Sequence, residues 1–326
     1  MKAILTCIEG LEEVVIKEIK GKKLIPTKII LETTPKDLAK IASQSRSILG
    51  CYQLLKKFKF KTQEDIEKQK LKIPYKFETF AVRCKDYNHN FSSQEIEHAI
   101  GQNIKGKADL KNPQLTIIIE IIENLCLIGI DFLGTNISKR DYRIKTNPFT
   151  VNSTIAYALF QVSGFKPKET LLDPYCKEGS ILIETVLSLT KTPHQKELAF
   201  QKFLKYKMPK PKKLKLNVYG SDHMLCNIKA TEINSQLANI KLNLTLADTE
   251  WLDTKFKKNQ IDKIVTVLDR NSNINELAHQ SEYILKDSIT VLTRNIIKLD
   301  KFKTVKQIKI KHGTEELYIQ KLKKTL

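Results

Sequence analysis

No run of apolar residues in this chain approaches the roughly 18 that a membrane-crossing helix requires, which excludes a bilayer span. No Cys-x-x-Cys pair, no His-Glu-x-x-His helix and no His/Cys cluster occurs. The six cysteines stand far apart, at positions 7, 51, 84, 126, 176 and 226. That spacing excludes a structural zinc site and argues against a disulfide framework, leaving the cysteines as small buried hydrophobes. The opening residues are apolar only as far as Ile8, before Glu9, Glu12 and Glu13 intervene, so no secretion signal is expected. Arginine is also scarce, at six of 56 basic residues. The expectation is a soluble, cytoplasmic protein that holds no metal.

What is present is length, apolar content and positive charge. The 326 residues, 41% of them hydrophobic, suffice for two or three domains, each with its own core. Lysine and arginine outnumber the acids 56 to 36, for a net charge of +20. Such a surplus suits a polyanion, most commonly nucleic acid, although abundant lysine, isoleucine and asparagine also follow from codon usage. One stretch is sharper. Lys205, Lys207, Lys210, Lys212, Lys213 and Lys215 crowd around Pro209 and Pro211, which predicts an extended basic loop. It is either a set of sequence-blind phosphate contacts or a solvated linker.

Hydrophobic periodicity predicts mixed α/β structure in the first third: a strand at Ala3–Thr6, a helix at Leu11–Ile19, a strand at Lys28–Glu32, a helix from Pro35 to about Leu49 and a strand at Tyr52–Phe60. Gln63–Lys72 reads as a connecting helix or linker. A second unit follows, with a strand at Thr79–Lys85 and a helix introduced by the capping pattern of Ser92 and Glu95. Two apolar strands, Leu115–Ile122 and Leu125–Phe132, are joined by Glu123-Asn124. The basic stretch Ser138–Thr150 contains Asn147-Pro148, a domain-boundary signal. From Val151 onward strands and helices alternate, ending in a hairpin of Val305–Lys311 and Glu315–Leu322. This order implies a doubly wound parallel sheet with an antiparallel edge.

Ligands of such sheets sit beyond the carboxyl ends of the strands, and three acids fall there: Asp173, Asp222 and Asp248. Asp173 opens a loop to Gly179 and a helix N-terminus, where amides and the helix dipole favour an anionic group. Asp222 is placed to accept from two ribose hydroxyls, and Asp248 to accept from a purine edge. Each has a plain alternative as a helix cap or turn former. Three acids at successive strand ends favour a nucleoside-type cofactor.

The run ending in LLDPYCKEGSILIE resembles the first motif of class I S-adenosylmethionine-dependent RNA methyltransferases. TFAVRCKDYNHNFSSQEIEHAIGQNI, DLKNPQLTIIIEII and LIGIDFLGTNISKRDYR are similar to the THUMP RNA-binding domain, and TCIEGLEEVVIKEI resembles the ferredoxin-like segment preceding it. The resemblance covers nearly the whole chain and points most closely to the tRNA guanine-N2 methyltransferases, with the ribosomal RNA enzymes second. It implies an α/β architecture of three parts: a ferredoxin-like segment over 1–62, THUMP over 63–145 and a Rossmann-like methyltransferase domain over 146–326. It further implies that Asp173, Pro174 and the loop to Gly179 face the methionine part of S-adenosylmethionine, with Asp222 on its ribose and Asp248 on its adenine. THUMP would grip the single-stranded acceptor end of tRNA, with Arg83, Lys85, Lys105, Lys107, Lys139, Arg140 and Arg143 as candidates; solvated surface charge is the alternative for each.

Two departures bear on catalysis. Where the family has Gly-Ser-Gly, this chain has Lys177-Glu178-Gly179, and a left-handed conformation costs a non-glycine residue roughly 1–2 kcal/mol. The family's Asp/Asn-Pro-Pro-Tyr/Phe, whose first residue holds the exocyclic amine and whose ring stacks on the flipped base, is replaced by Val267-Leu268-Asp269-Arg270. Asp269 is a stand-in acceptor if the loop shifts by two residues, but nothing supplies the ring. Losing stacking costs roughly 1–3 kcal/mol and losing a preorganised polar group roughly 2.7–4 kcal/mol. Together they would slow transfer by about three to five orders of magnitude. Two leading readings follow, with a third behind them. One is an RNA methyltransferase with a rebuilt catalytic loop. The other is a catalytically silent RNA-binding paralogue that docks tRNA or a protein partner. A third keeps the domain for another nucleoside ligand.

Overall fold

The computed structural model describes residues 1–325 except 88, 148–149, 194–196 and 271. The first half is one eight-stranded sheet with helices. Its elements are β1 (Lys2–Thr6), α1 (Glu12–Ile19), β2 (Lys22–Ile25), β3 (Lys28–Glu32), α2 (Pro35–Gln44), β4 (Gly50–Lys59), α3 (Gln63–Glu67), β5 (Thr79–Asp86), α4 (Ser93–Gln102), β6 (Lys107–Ala108), β7 (Leu115–Ile122) and β8 (Leu125–Asp131). The order is β2-β3-β1-β4-β8-β7-β5-β6. Strands expected to belong to two units therefore share a sheet, joined where β4 pairs β8. Ser92 accepts from the Glu95 amide as expected, and Thr34 caps α2 by accepting from the Asp37 amide. Helix α2 stops at Gln44, short of the expected Leu49. Ser45 and Ser47 turn their hydroxyls, and Arg46 its amide, onto the Glu18 carboxylate, and those bonds replace further helical ones.

The sheet is strongly curled. β3 and β7 are four strand spacings apart, which in a flat sheet is about 19 Å. Yet the Lys28 ammonium of β3 donates to both Glu120 oxygens of β7, at 2.5 and 2.6 Å. Tyr52 and Tyr87 also donate to Glu120, and Tyr52 is able to lie there because Gly129, diagonally across on β8, offers no side chain: a Cβ at Gly129 would meet the ring at 2.3 Å.

The second half contains α5 (Ser153–Ser163), β9 (Thr170–Asp173), α6 (Ser180–Leu189), β10 (Asn217–Asp222), α7 (Leu225–Leu237), β11 (Asn243–Leu246), α8 (Leu252–Lys255), β12 (Ile261–Val267), α9 (Ile274–Ile284), β13 (Leu285–Thr293), β14 (Phe302–His312) and β15 (Glu315–Lys324). The sheet order is β11-β10-β9-β12-β13-β15-β14. β15 runs antiparallel to both β13 and β14, so the doubly wound sheet with an antiparallel hairpin is as expected. The strand order reverses between β9 and β12, which puts the topological switch point beside Asp173. Among the described residues, no helix is long and apolar enough to cross a membrane. Pro148 of the expected Asn147-Pro148 boundary lies outside the described residues.

A buried ion network ties the two halves. Glu184 of α6 is fully buried and meets Arg46 Nη1 at 3.0 Å, Arg140 Nε at 3.0 Å and the Tyr142 hydroxyl at 2.9 Å. Arg140 also donates to the Ile137 carbonyl, and to that of Arg46 at 3.2 Å. The segment between α6 and β10 crosses back to the first half. Phe200 and Phe203 pack beside Phe132, with ring centroids 5.9 and 5.5 Å away.

Candidate functional site

Asp173 and Asp222 end adjacent parallel strands, paired so that Gly220 lies opposite Asp173. Both carboxyls are 2% exposed. Asp173 Oδ1 accepts from the Tyr175 amide at 3.2 Å and, across the switch point, from the Thr266 hydroxyl of β12 at 2.7 Å. Burial, reinforced by the neighbouring Asp222 charge, pushes Asp173 up to about 7 against the weaker pull of its hydrogen bonds and of Lys177. Asp222 has both oxygens engaged. Oδ1 accepts from the Met224 amide at 2.9 Å and Asn227 Nδ2 at 3.0 Å, and Oδ2 from the Lys177 amide at 3.1 Å.

Asp248 lies two residues beyond β11, exposed. It accepts from the Thr249 amide at 2.6 Å and caps the turn Thr249–Trp251. The capping role weighed for it in the sequence is therefore the one its side chain performs. Pro174 is buried in the turn after Asp173.

The loop from Tyr175 to Gly179 is clamped onto α7. The Thr231 hydroxyl donates to the Lys177 carbonyl at 2.8 Å, and Asn234 Nδ2 to the Glu178 carbonyl at 3.0 Å. Gly179 has φ +84°, and a Cβ there would meet Thr231 Cγ2 at 2.6 Å, so this glycine permits the helix to approach. Lys177 takes a left-handed φ of +52° without being glycine. Its ammonium pairs with Asp269 Oδ2 at 2.9 Å. Asp269 stands two residues past β12 in a tight turn, where Ser272 Oγ donates to its Oδ1 at 3.1 Å.

Beside this pair opens a cavity of about 820 Å³. Val151, Ile155, Leu268, Ile274, Leu292 and Leu317 give it an apolar wall, and Arg294, His312 and Glu315 a polar one. Asp173, Asp222 and Asp248 do not line it. The described residues lining it include no phenylalanine, tyrosine or tryptophan.

Residues 58–131 match the THUMP domain family, and residues 140–268 match the family described as an RMKL-like methyltransferase domain. The chain carries a THUMP domain followed by an RMKL-like methyltransferase domain. Over 160 residues it is 27% identical to the tRNA (guanine(6)-N2)-methyltransferase of Archaeoglobus fulgidus, covering 45% of this chain and 41% of that one. The Methanocaldococcus jannaschii protein of the same name is 34% identical over 128 residues, 36% of this chain and 34% of the relative. The matches thus span less than half the length of these relatives. The fold of TrmN from Thermus thermophilus superposes with a TM-score of 0.75 at 16% identity, covering 99% of each chain.

The basic residues proposed for RNA scatter. Lys85, Lys105, Lys107 and Lys139 are exposed. Arg83 is half-buried and donates to the Leu110 carbonyl at 2.7 Å; Arg143, also half-buried, donates to Ser153 Oγ at 3.1 Å. Arg140 is 4% exposed within the Glu184 network. It corrects the expectation of an RNA contact, because reaching a phosphate would unpair a buried carboxylate. Sequence reasoning missed Thr266, Thr231 and Asn234, hydroxyl and amide groups whose role depends on elements distant in the chain. The mutual capture of Lys177 and Asp269, 92 positions apart, carried no local signal either.

Proposed function

We propose that this chain is a tRNA-binding protein of the guanine-N2 methyltransferase type, gripping RNA through its THUMP domain and taking S-adenosylmethionine at the carboxyl ends of β9, β10 and β11. What carries this reading is that Asp173, Asp222 and Asp248 close successive strands of a domain matched as a methyltransferase. The guanine-N2 class and the tRNA substrate come from the names of the two archaeal relatives. The division at residues 62 and 145 is retained as the proposed partition.

The carboxylate set fits the donor and the loop resists it. Asp248 is open to an adenine edge, and Asp222 is placed for the ribose once it exchanges the Lys177 amide for a hydroxyl. The Lys177 side chain, however, lies between the first loop and Asp269, so a donor enters only when that pair parts. When bound, the donor supplies an electrophilic methyl group. Asp269 is then the acceptor for the hydrogens of an exocyclic amine. With no ring to stack on the base, transfer is slowed by roughly one to two orders of magnitude.

The Lys177–Asp269 pair also favours a second reading, a silent tRNA-docking paralogue. Labelled S-adenosylmethionine and unmodified tRNA separate the two. Label transfer that disappears in Asp222→Ala supports the enzyme; salt-dependent tRNA binding without transfer, unchanged in Asp222→Ala, supports the silent protein. Absence of tRNA binding would overturn both.

A further inference from the structure

The segment between α6 and β10 takes no part in the site described above. From Lys202 to Lys215 it carries seven lysines (202, 205, 207, 210, 212, 213 and 215), and no acid occurs between Glu197 and Asp222. All seven are exposed, while Leu198 and Phe200 are buried. Leu204, Tyr206 and Met208 pack against the core of the first half, and the Phe200 and Tyr206 rings meet at 5.6 Å. Over 204–208 the chain therefore alternates, apolar side chains inward and lysines outward, with like positions every ~6.6 Å as in an extended strand. Pro209 and Pro211 stiffen the next stretch, and the Lys212 amide ties it to the Thr190 carbonyl at 2.6 Å. A solvated tether has no need of such anchoring.

The segment is continuous with THUMP. The Lys202 ammonium donates to Asn112 Oδ1 at 2.7 Å and to the Pro113 carbonyl at 3.0 Å, in a loop that also carries exposed Lys111. Asp109 in that loop is turned onto its own backbone, accepting from the Lys111 and Asn112 amides. The strap is bonded through Lys212 to Thr190, just past the C-terminal end of α6, and leads into β10. It therefore lies at the amino ends of the strands, opposite Asp173, Asp222 and Asp269.

We propose that residues 202–215 form a phosphate-tracking strap, an RNA-backbone contact that extends the THUMP surface and lies away from the reaction end of the sheet. The proposal rests on the tRNA-binding reading and extends it. Lysines are compact, flexible point charges suited to a row of phosphates, whereas protein interfaces are depleted in lysine and built around aromatic or arginine anchors. The rings of this strap all face inward.

The test is anisotropy of labelled tRNA with the full chain across a salt series. It compares the wild type with a variant in which Lys205, Lys207, Lys210, Lys212, Lys213 and Lys215 become Gln. All six side chains are exposed, so the melting temperature should be unchanged. The salt slope should fall by about 1 for each lysine that meets a phosphate, by about three or more in all, with affinity weaker by on the order of tenfold or more near physiological salt. An unchanged slope and affinity in the variant, with normal wild-type binding, would overturn the strap alone. Absence of wild-type binding would overturn the tRNA reading beneath it.

Discussion

The Lys177 ammonium lies 2.9 Å from Asp269 Oδ2, with only 9% and 15% of the two side chains exposed. One residue belongs to the loop after β9 and the other to the turn after β12, so the pair spans the switch point of the sheet, where doubly wound folds take their ligands. Lys177 also takes a left-handed conformation, at φ +52°, that disfavours any side chain. Lys177→Gly removes the strain and the obstruction together. Binding of S-adenosylhomocysteine, measured by calorimetry, should tighten by roughly fivefold or more, since the donor no longer has to part an ion pair worth about 1 kcal/mol. Equal affinities in wild type and variant would show that the pair does not gate the donor.

Lys28 and Glu120 lock the curl of the first sheet, and both are at most 5% exposed. Removing one partner of a buried pair leaves an uncompensated charge, at a cost of about 3–5 kcal/mol. Lys28→Met should lower the free energy of urea unfolding by that amount, because the hydroxyls of Tyr52 and Tyr87 cannot neutralise the carboxylate. Adding Glu120→Gln should restore most of the loss. A single variant that loses less than about 1 kcal/mol would mean that water already reaches the pair.

Much of this architecture was legible because its signals are local. The apolar runs Leu115–Ile122 and Leu125–Phe132 announce β7 and β8, Pro35 and Ser92 announce helix starts, and the alternation after Val151 announces a doubly wound sheet. The curl was not legible. Lys28 reads as an ordinary charged residue until β3 and β7 are brought face to face, and the short, lysine-rich β2 lacks the apolar run that marks a strand. The three strand-end acids could be placed by spacing alone, but their occupancy could not. Asp222 already accepts from two amides and from Asn227, and whether a carboxylate is open depends on the turn that follows it. Arg140 was misassigned for the same reason: its partner Glu184 is 44 positions away.

The Glu184 network should couple the two halves in unfolding. Glu184→Gln leaves the Arg46 and Arg140 guanidiniums buried without their shared carboxylate, and a loss of about 3–5 kcal/mol follows. Arg140→Met should also destabilise, yet leave the salt slope of tRNA binding unchanged; a phosphate contact would lower that slope by about 1. Thermal melts and binding isotherms on the same samples distinguish the two roles. A reduced slope in a fully folded Arg140→Met protein would return Arg140 to the RNA surface.

Asp173 makes a pH-dependent contribution of unusual sign for a carboxylate. An unfolded aspartate ionises near pH 4, whereas burial holds the folded group protonated up to about 7. Between those limits the native state carries a proton that the unfolded chain lacks, so stability falls as pH rises. The contribution is complete below about pH 4, lost above about pH 7, and on the order of a few kcal/mol. Asp173→Asn keeps an oxygen for the Thr266 hydroxyl and the Tyr175 amide but has no proton to lose. The melting temperature of the wild type relative to this variant should therefore decline steadily from pH 4 to pH 7 and level off above it. Charges remote from Asp173 are the same in both proteins, so the comparison isolates this site, and a flat difference across that range would mean that its carboxylate is hydrated in solution.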